Sequence, residues 1–174
     1  MQNFPLSDLA SYSYADAWTD AHRGTDIFAS RGQPVIAVAD GTVRATVDPK
    51  GGKVVYLAAD DGWGYYYAHL DAWAPGIEQD ATPMPVYAGA FLGQVGTSGN
   101  AEGTEPHLHF QATAPNGTAV DPFDLLRAVD THDVALTPTA TKRRSRGGAL
   151  AVLGIALGVA VIATIGRLAK SRSA

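Results

Sequence analysis

PVIAVADGTVRATVDPKGGKVVYLAADDGWGYYYAHL, residues 34–70, is a series of short β-branched and aromatic runs cut by turn residues. PVIAVA is followed by Asp40-Gly41, TVRATV by Asp48 to Gly52, KVVYLA by Asp60 to Gly64, and YYYAHL closes the series. Runs of this length with turn signals between them read as antiparallel hairpins, with Asp40-Gly41 and Gly51-Gly52 as hairpin turns. Further strands are expected over Pro85–Val95 and His107–Ala112, parted by the Gly-rich turn at residues 96–100. Within the first 130 residues one short helix is expected. Asp121 would cap it, Pro122 would sit in its first turn, and Phe123, Leu125, Leu126 and Val129 would form its apolar face. The fold class is therefore mainly β, a single domain of antiparallel sheet with hairpins.

A chain of 174 residues, 46% of them hydrophobic, can bury one ordinary core. Its formal charge of −4 gives no general attraction to phosphate backbones, so no nucleic-acid partner is expected. Cysteine is absent, which excludes disulfides and thiolate metal sites together; a metal here must be held by imidazole and carboxylate.

Four of the five histidines fall into local patterns: HxxxD at His22 and Asp26, YAHL around His69, and HLH at His107 and His109. The fifth, His132, lies in the expected linker. Residues two apart on a strand share a face, so His107 and His109 can address one point while Leu108 turns into the core. Two imidazoles and a carboxylate make a three-ligand set for catalytic zinc, with a fourth position left for water or substrate. By the same alternation Tyr65 and Tyr67 share one face and Tyr66 takes the other. Asn100 reads as a turn residue before a substrate contact.

From His22 to Leu126 the chain resembles the lysostaphin-like, LytM-type (M23-class) zinc metallopeptidases. The resemblance is carried in order by HRGTDIFA, GQPVIAVADGTV, DGWGYYYAHL, GQVGTSGNAEGTEPHLHF and AVDPFDLL. It implies the lysostaphin-type peptidase fold and one Zn²⁺ per domain held by His22, Asp26 and His109, with His69 and His107 at the catalytic positions. It also implies an endopeptidase acting on the peptide bridges or cross-links of bacterial peptidoglycan. His107 is then the general base and His69 the group that stabilises the oxyanion, two roles open to exchange. The alternative is a non-catalytic cell-wall-binding or amidase-regulating module of the same fold; relatives of that kind typically lack metal ligands, and this chain has the full set.

Residues 1–21 form the expected lead-in, without a basic and apolar signal-peptide pattern, and residues 22–130 the peptidase domain. Residues 131–146 read as a linker with a basic cluster at Arg143, Arg144 and Arg146, more simply a membrane flank than a nucleic-acid site. Residues 147–166, about twenty without a charge, are long enough to cross a bilayer as a helix. Gly154 and Gly158 make a GxxxG within this run, and residues 167–174 form a basic tail. The flanking charges are too evenly divided to orient the span. A membrane-associated protein is thus expected, with the side of the membrane and the oligomeric state unassigned. Action on cell wall requires an export route, delivery by a phage or prophage, or a run that does not span.

Overall fold

The computed structural model describes residues 1–7 and 11–131. The expected linker beyond residue 131, the apolar run and the basic tail lie outside them. Among the described residues no helix is long and apolar enough to cross a membrane.

Ten strands follow one another among the described residues. These are β1 (Tyr12–Tyr14), β2 (Thr25–Ala29), β3 (Pro34–Ile36), β4 (Gly41–Asp48), β5 (Gly52–Ala59), β6 (Gly64–Trp73), β7 (Met84–Val86), β8 (Phe91–Val95), β9 (His107–Thr113) and β10 (Ala119–Val120). Among the described residues a 3₁₀ turn at Gly99–Ala101 precedes β9, and a helix, α1 (Phe123–Val129), follows β10. The main sheet runs β1-β2-β9-β6-β5-β4-β7; β10 extends beside β9, and β8 pairs with both β3 and the end of β6. The mainly antiparallel fold expected from the sequence is the one observed.

The turns at Asp48–Gly52 and Asp60–Gly64 do close hairpins, joining β4 to β5 and β5 to β6. Asp40-Gly41 does not. β3 pairs with β8, whereas β4 pairs with β5 and β7, so the Asp-Gly pair marks a crossing between strands that do not pair rather than a hairpin. Its residues serve tertiary contacts: Asp40 Oδ1 accepts the Ala88 N–H at 2.7 Å, and a side chain at Gly41 would collide with the Ala58 carbonyl. The strand-forming run expected over Pro85–Val95 holds two strands, β7 and β8, parted by a turn in which the Ala90 N–H donates to the Tyr87 carbonyl. Gly89 supplies the left-handed backbone there, at φ +85°. At the start of α1 the Asp121 carboxylate accepts the Phe123 N–H at 2.9 Å, one residue ahead of Pro122, which occupies the cap position itself.

The core does not begin at His22. Phe4, Leu6 and Tyr14, all in the expected lead-in, are 5%, 1% and 7% exposed and pack with Ile27, Val35 and Leu126 in one cluster. The Tyr12 and Tyr14 hydroxyls donate to the two carboxylate oxygens of Asp130, fastening β1 to the end of α1. These segments carry no periodic pattern, so only the packed structure shows that they belong to the core. Truncating a fully buried leucine costs about 2–5 kcal/mol through lost transfer energy and the cavity left behind. Leu6→Ala is therefore expected to lower unfolding free energy by about that amount; urea titration checks it, and a change within experimental error would place Leu6 outside the cooperative unit.

Candidate active site

The floor of the site is one face of β2, β9 and β6. Antiparallel register sets Asp26 directly opposite His109, His109 opposite Ala68, and Phe28 opposite His107. Cross-strand partners share a face, so this register brings the Asp26 carboxylate against the His109 ring without help from any loop. The other face of β9 is apolar and sealed: Leu108, Phe110 and Ala112 are at most 1% exposed. The alternation expected of HLH therefore holds. It holds in the tyrosine run as well, with Tyr65 and Tyr67 in the core and Tyr66 on the site face.

Asp26 Oδ1 accepts from His109 Nδ1 at 2.7 Å and lies 3.2 Å from His22 Nε2. One donor atom from each of His22, Asp26 and His109 falls within 4.8 Å of the others. Donors on one tetrahedral zinc stand about 3.3 Å apart, given bond lengths near 2.0–2.2 Å, so the set fits a single ion with small adjustments. Its chemistry fits too, being two imidazoles and a carboxylate with no thiolate. His22 reaches the site from the loop before β2, where its own N–H and carbonyl bond to Thr19 and its Nδ1 faces the Ala17 carbonyl at 3.2 Å.

His69 and His107 stand beside this set, their ring centroids 4.9 Å apart and His69 5.9 Å from His109. His107 Nδ1 donates to the Glu105 carbonyl at 2.8 Å and His69 Nδ1 to the Ser98 carbonyl at 2.9 Å. A carbonyl only accepts, so each Nδ1 carries a proton, and in the neutral ring Nε2 is the lone-pair nitrogen. Burial lowers the His69 pKa and so favours the neutral ring; the Ser98 bond opposes this, and the neighbouring His107 and His109 reinforce it. All five residues singled out in the sequence thus line one groove of about 1220 Å³, whose floor follows β9 from His107 to Thr113. Seven strand residues span roughly 20 Å, the length of about six residues of extended peptide.

Two further residues shape the site and have no signature in their local sequence. A Cβ on Gly24 would lie 2.6 Å from His109 Cε1 and 2.7 Å from its Nε2, so the glycine makes the space the ring occupies. Gln111, two residues beyond His109 on the same face, places its side-chain amide 2.9 Å from His109 Nε2. That amide offers both donor and acceptor and can hold the ring in either tautomer.

Burial works to raise the Asp26 pKa, but the His109 hydrogen bond and the charges of His109, His22 and His107 outweigh it and hold the group at about 2. A depressed carboxylate stabilises the fold above its unfolded pKa, near 3.8, and that contribution is lost as pH falls through about 2. Metal-free Asp26→Asn is accordingly expected to show a flatter fall in stability between those pH values than the metal-free parent. Acid titration followed by circular dichroism checks this, and parallel curves would contradict it.

A β-sheet groove holding a metal-competent His–Asp–His set beside two lone-pair imidazoles has the layout of a metallohydrolase centre. The chain belongs to peptidase family M23, whose model matches residues 20–122. It is 35% identical over 147 residues to the L-Ala–D-Glu endopeptidase of Bacillus subtilis, covering 75% of this chain and 44% of that one. To the glycyl-glycine endopeptidase ALE-1 of Staphylococcus capitis it is 33% identical over 113 residues, 62% of this chain and 29% of that one. The crystallised catalytic domain of the antimicrobial peptidase lysostaphin from Staphylococcus simulans superposes with a TM-score of 0.53 at 30% identity, covering 68% of this chain and 91% of that domain. The chain spans less than half the length of the two curated relatives.

Proposed function

We propose that this protein is a zinc-dependent endopeptidase that hydrolyses peptide bonds in the bridges or stem-peptide cross-links of bacterial peptidoglycan. The reading rests on one observation above others: His22, Asp26 and His109 converge within 4.8 Å in a groove that also receives the lone-pair nitrogens of His69 and His107. Family membership and two relatives named for endopeptidase activity support the same chemistry.

His22, Asp26 and His109 would hold the metal. When bound, zinc supplies a positive charge that polarises the scissile carbonyl and brings the pKa of water toward neutrality. His107 Nε2 takes a proton from the attacking water and passes it to the departing amine nitrogen. The Glu105 carbonyl keeps that nitrogen aimed into the groove by holding the opposite side of the ring. The resemblance assigns His69 to the oxyanion, but a neutral ring with Nδ1 on the Ser98 carbonyl has no Nε2 proton to donate, and burial favours that neutral form. His69 is therefore better read as a second acceptor that orients the attacking water through its Nε2. The apolar run 147–166 is read as a membrane tether, and action on the wall additionally requires an export or delivery route that places the groove on the wall side.

The test is hydrolysis by the purified chain of isolated cell walls, a pentaglycine peptide and a stem peptide containing the L-Ala–D-Glu bond, with zinc measured by elemental analysis. Peptide release that stops with a chelator and returns with zinc is expected. A chain that binds zinc yet releases nothing from any wall type would instead be the non-catalytic binding or regulatory module.

A further inference from the structure

His69 has a backbone that a strand residue does not ordinarily adopt. Its φ is +64°, in the left-handed region, and the β5–β6 register slips beside it. Strict alternation from Tyr65 and Tyr67 would carry His69 to the core face; the left-handed backbone returns its ring to the groove. A non-glycine residue in this conformation costs about 1–3 kcal/mol and persists only where its surroundings impose it.

Those surroundings are traceable bond by bond. The His69 N–H donates to the Gly51 carbonyl at 2.7 Å, inside the turn that joins β4 to β5. Asp48 closes that turn: its Oδ1 accepts from the Lys50 N–H at 2.9 Å and from the Gly51 N–H. Its Oδ2 accepts from the Tyr66 hydroxyl at 2.7 Å, tying the turn back to β6 three residues before His69. Nothing larger than glycine fits at position 51, because a Cβ would collide with the Tyr66 hydroxyl. Burial acts to raise the Asp48 pKa, but the bonds from Tyr66, Gly51 and Lys50 outweigh it and keep the group ionised. One carboxylate therefore joins the turn to the strand on which His69 sits.

We propose that Asp48 is the positioning residue for His69, its carboxylate fixing the turn whose Gly51 carbonyl holds the left-handed backbone and so aims the ring into the groove. The proposal rests on the reading of His69 as part of a peptidase site. Asn at position 48 keeps an oxygen for the two turn N–H groups and gives up only the acceptor for Tyr66. Ala gives up both.

The experiment uses the zinc-loaded 174-residue chain and its D48A, D48N and D48E variants, with the stem peptide and pentaglycine as substrates. D48A is expected to lose about 10–100-fold in kcat, the scale for small misplacements of a catalytic group, with KM and zinc content unchanged. D48N is expected to recover most of that loss. In long-range ¹H–¹⁵N spectra His69 should be a single Nδ1–H tautomer in the parent and in D48N, and averaged between tautomers in D48A. Should D48A fail to fold, D48E decides in its place, since the added methylene displaces the acceptor from the turn while keeping the charge; it too should lose kcat. Wild-type kcat with an unchanged His69 spectrum in D48A, or in D48E where that variant decides, would overturn the proposal, as would equal loss of zinc and activity in D48A and D48N. If the parent hydrolyses neither peptide and releases nothing from isolated cell walls, the enzymatic reading fails separately, and the His69 spectra alone decide whether Asp48 positions the ring.

Discussion

His109→Ala is expected to release zinc and abolish hydrolysis, while His107→Ala keeps zinc at the parent's stoichiometry and loses about 10²–10⁴ in kcat, the usual scale for a general base. The two residues make a controlled pair. They lie two apart on β9, and each is 8% exposed, so truncation costs a similar amount of packing at either position. They differ in where Nδ1 points. His109 turns it to Asp26 at 2.7 Å and becomes a donor in the metal set, whereas His107 turns it away to the Glu105 carbonyl and presents Nε2 to the groove. Elemental analysis and single-turnover kinetics on the two variants separate these roles, and equal loss of zinc in both would show that His107 also holds the metal.

Gly24→Ala is expected to be nearly as damaging as removal of His109, although position 24 offers no side chain to substrate or metal. The added Cβ would meet His109 Cε1 at 2.6 Å, His109 Nε2 at 2.7 Å and the Phe110 carbonyl oxygen at 2.8 Å. The backbone oxygen belongs to a paired central strand and yields little, so the ring must move. Movement takes it off both Asp26 and Gln111, the two groups that fix its orientation. Disturbing an outer partner of a metal ligand typically costs 10–100-fold in affinity, so zinc binding should weaken by at least about that factor. Chelator competition measures it directly; parent-like zinc affinity in G24A would mean that β2 rather than the ring gives way.

The features legible in the sequence were those carried by short periodicities. Alternation along HLHF correctly separates His107 and His109 from Leu108 and Phe110, and along the tyrosine run it separates Tyr66 from its neighbours. It fails one step later, at His69, because a left-handed backbone breaks the period of two and nothing in YAHL announces it. Asp40-Gly41 misleads for a related reason. An Asp-Gly pair between apolar runs marks a change of direction, but which strands then pair is decided by contacts with Ala58 and Ala88, distant in the chain. Gly24 and Gln111 were hidden because their importance lies in closeness to His109, a relation that strand register creates and local spacing does not display. Phe4 and Leu6 sit in a segment without any pattern and are recruited only when β1 and the core are in place.

The register that opposes Asp26 to His109 also sets when in its own synthesis the protein can complete its donor set. The two residues are 83 positions apart, so a chain still being made carries His22 and Asp26 as an unfilled half of the donor set until β9 has emerged and paired with β2. The seal between Tyr12 and Asp130 comes later still, across 118 positions. Contacts this distant form late, after the entropy of closing long loops has been overcome. A nascent or prematurely ended chain therefore lacks the complete donor set, which is assembled only near the completion of the β-sheet unit.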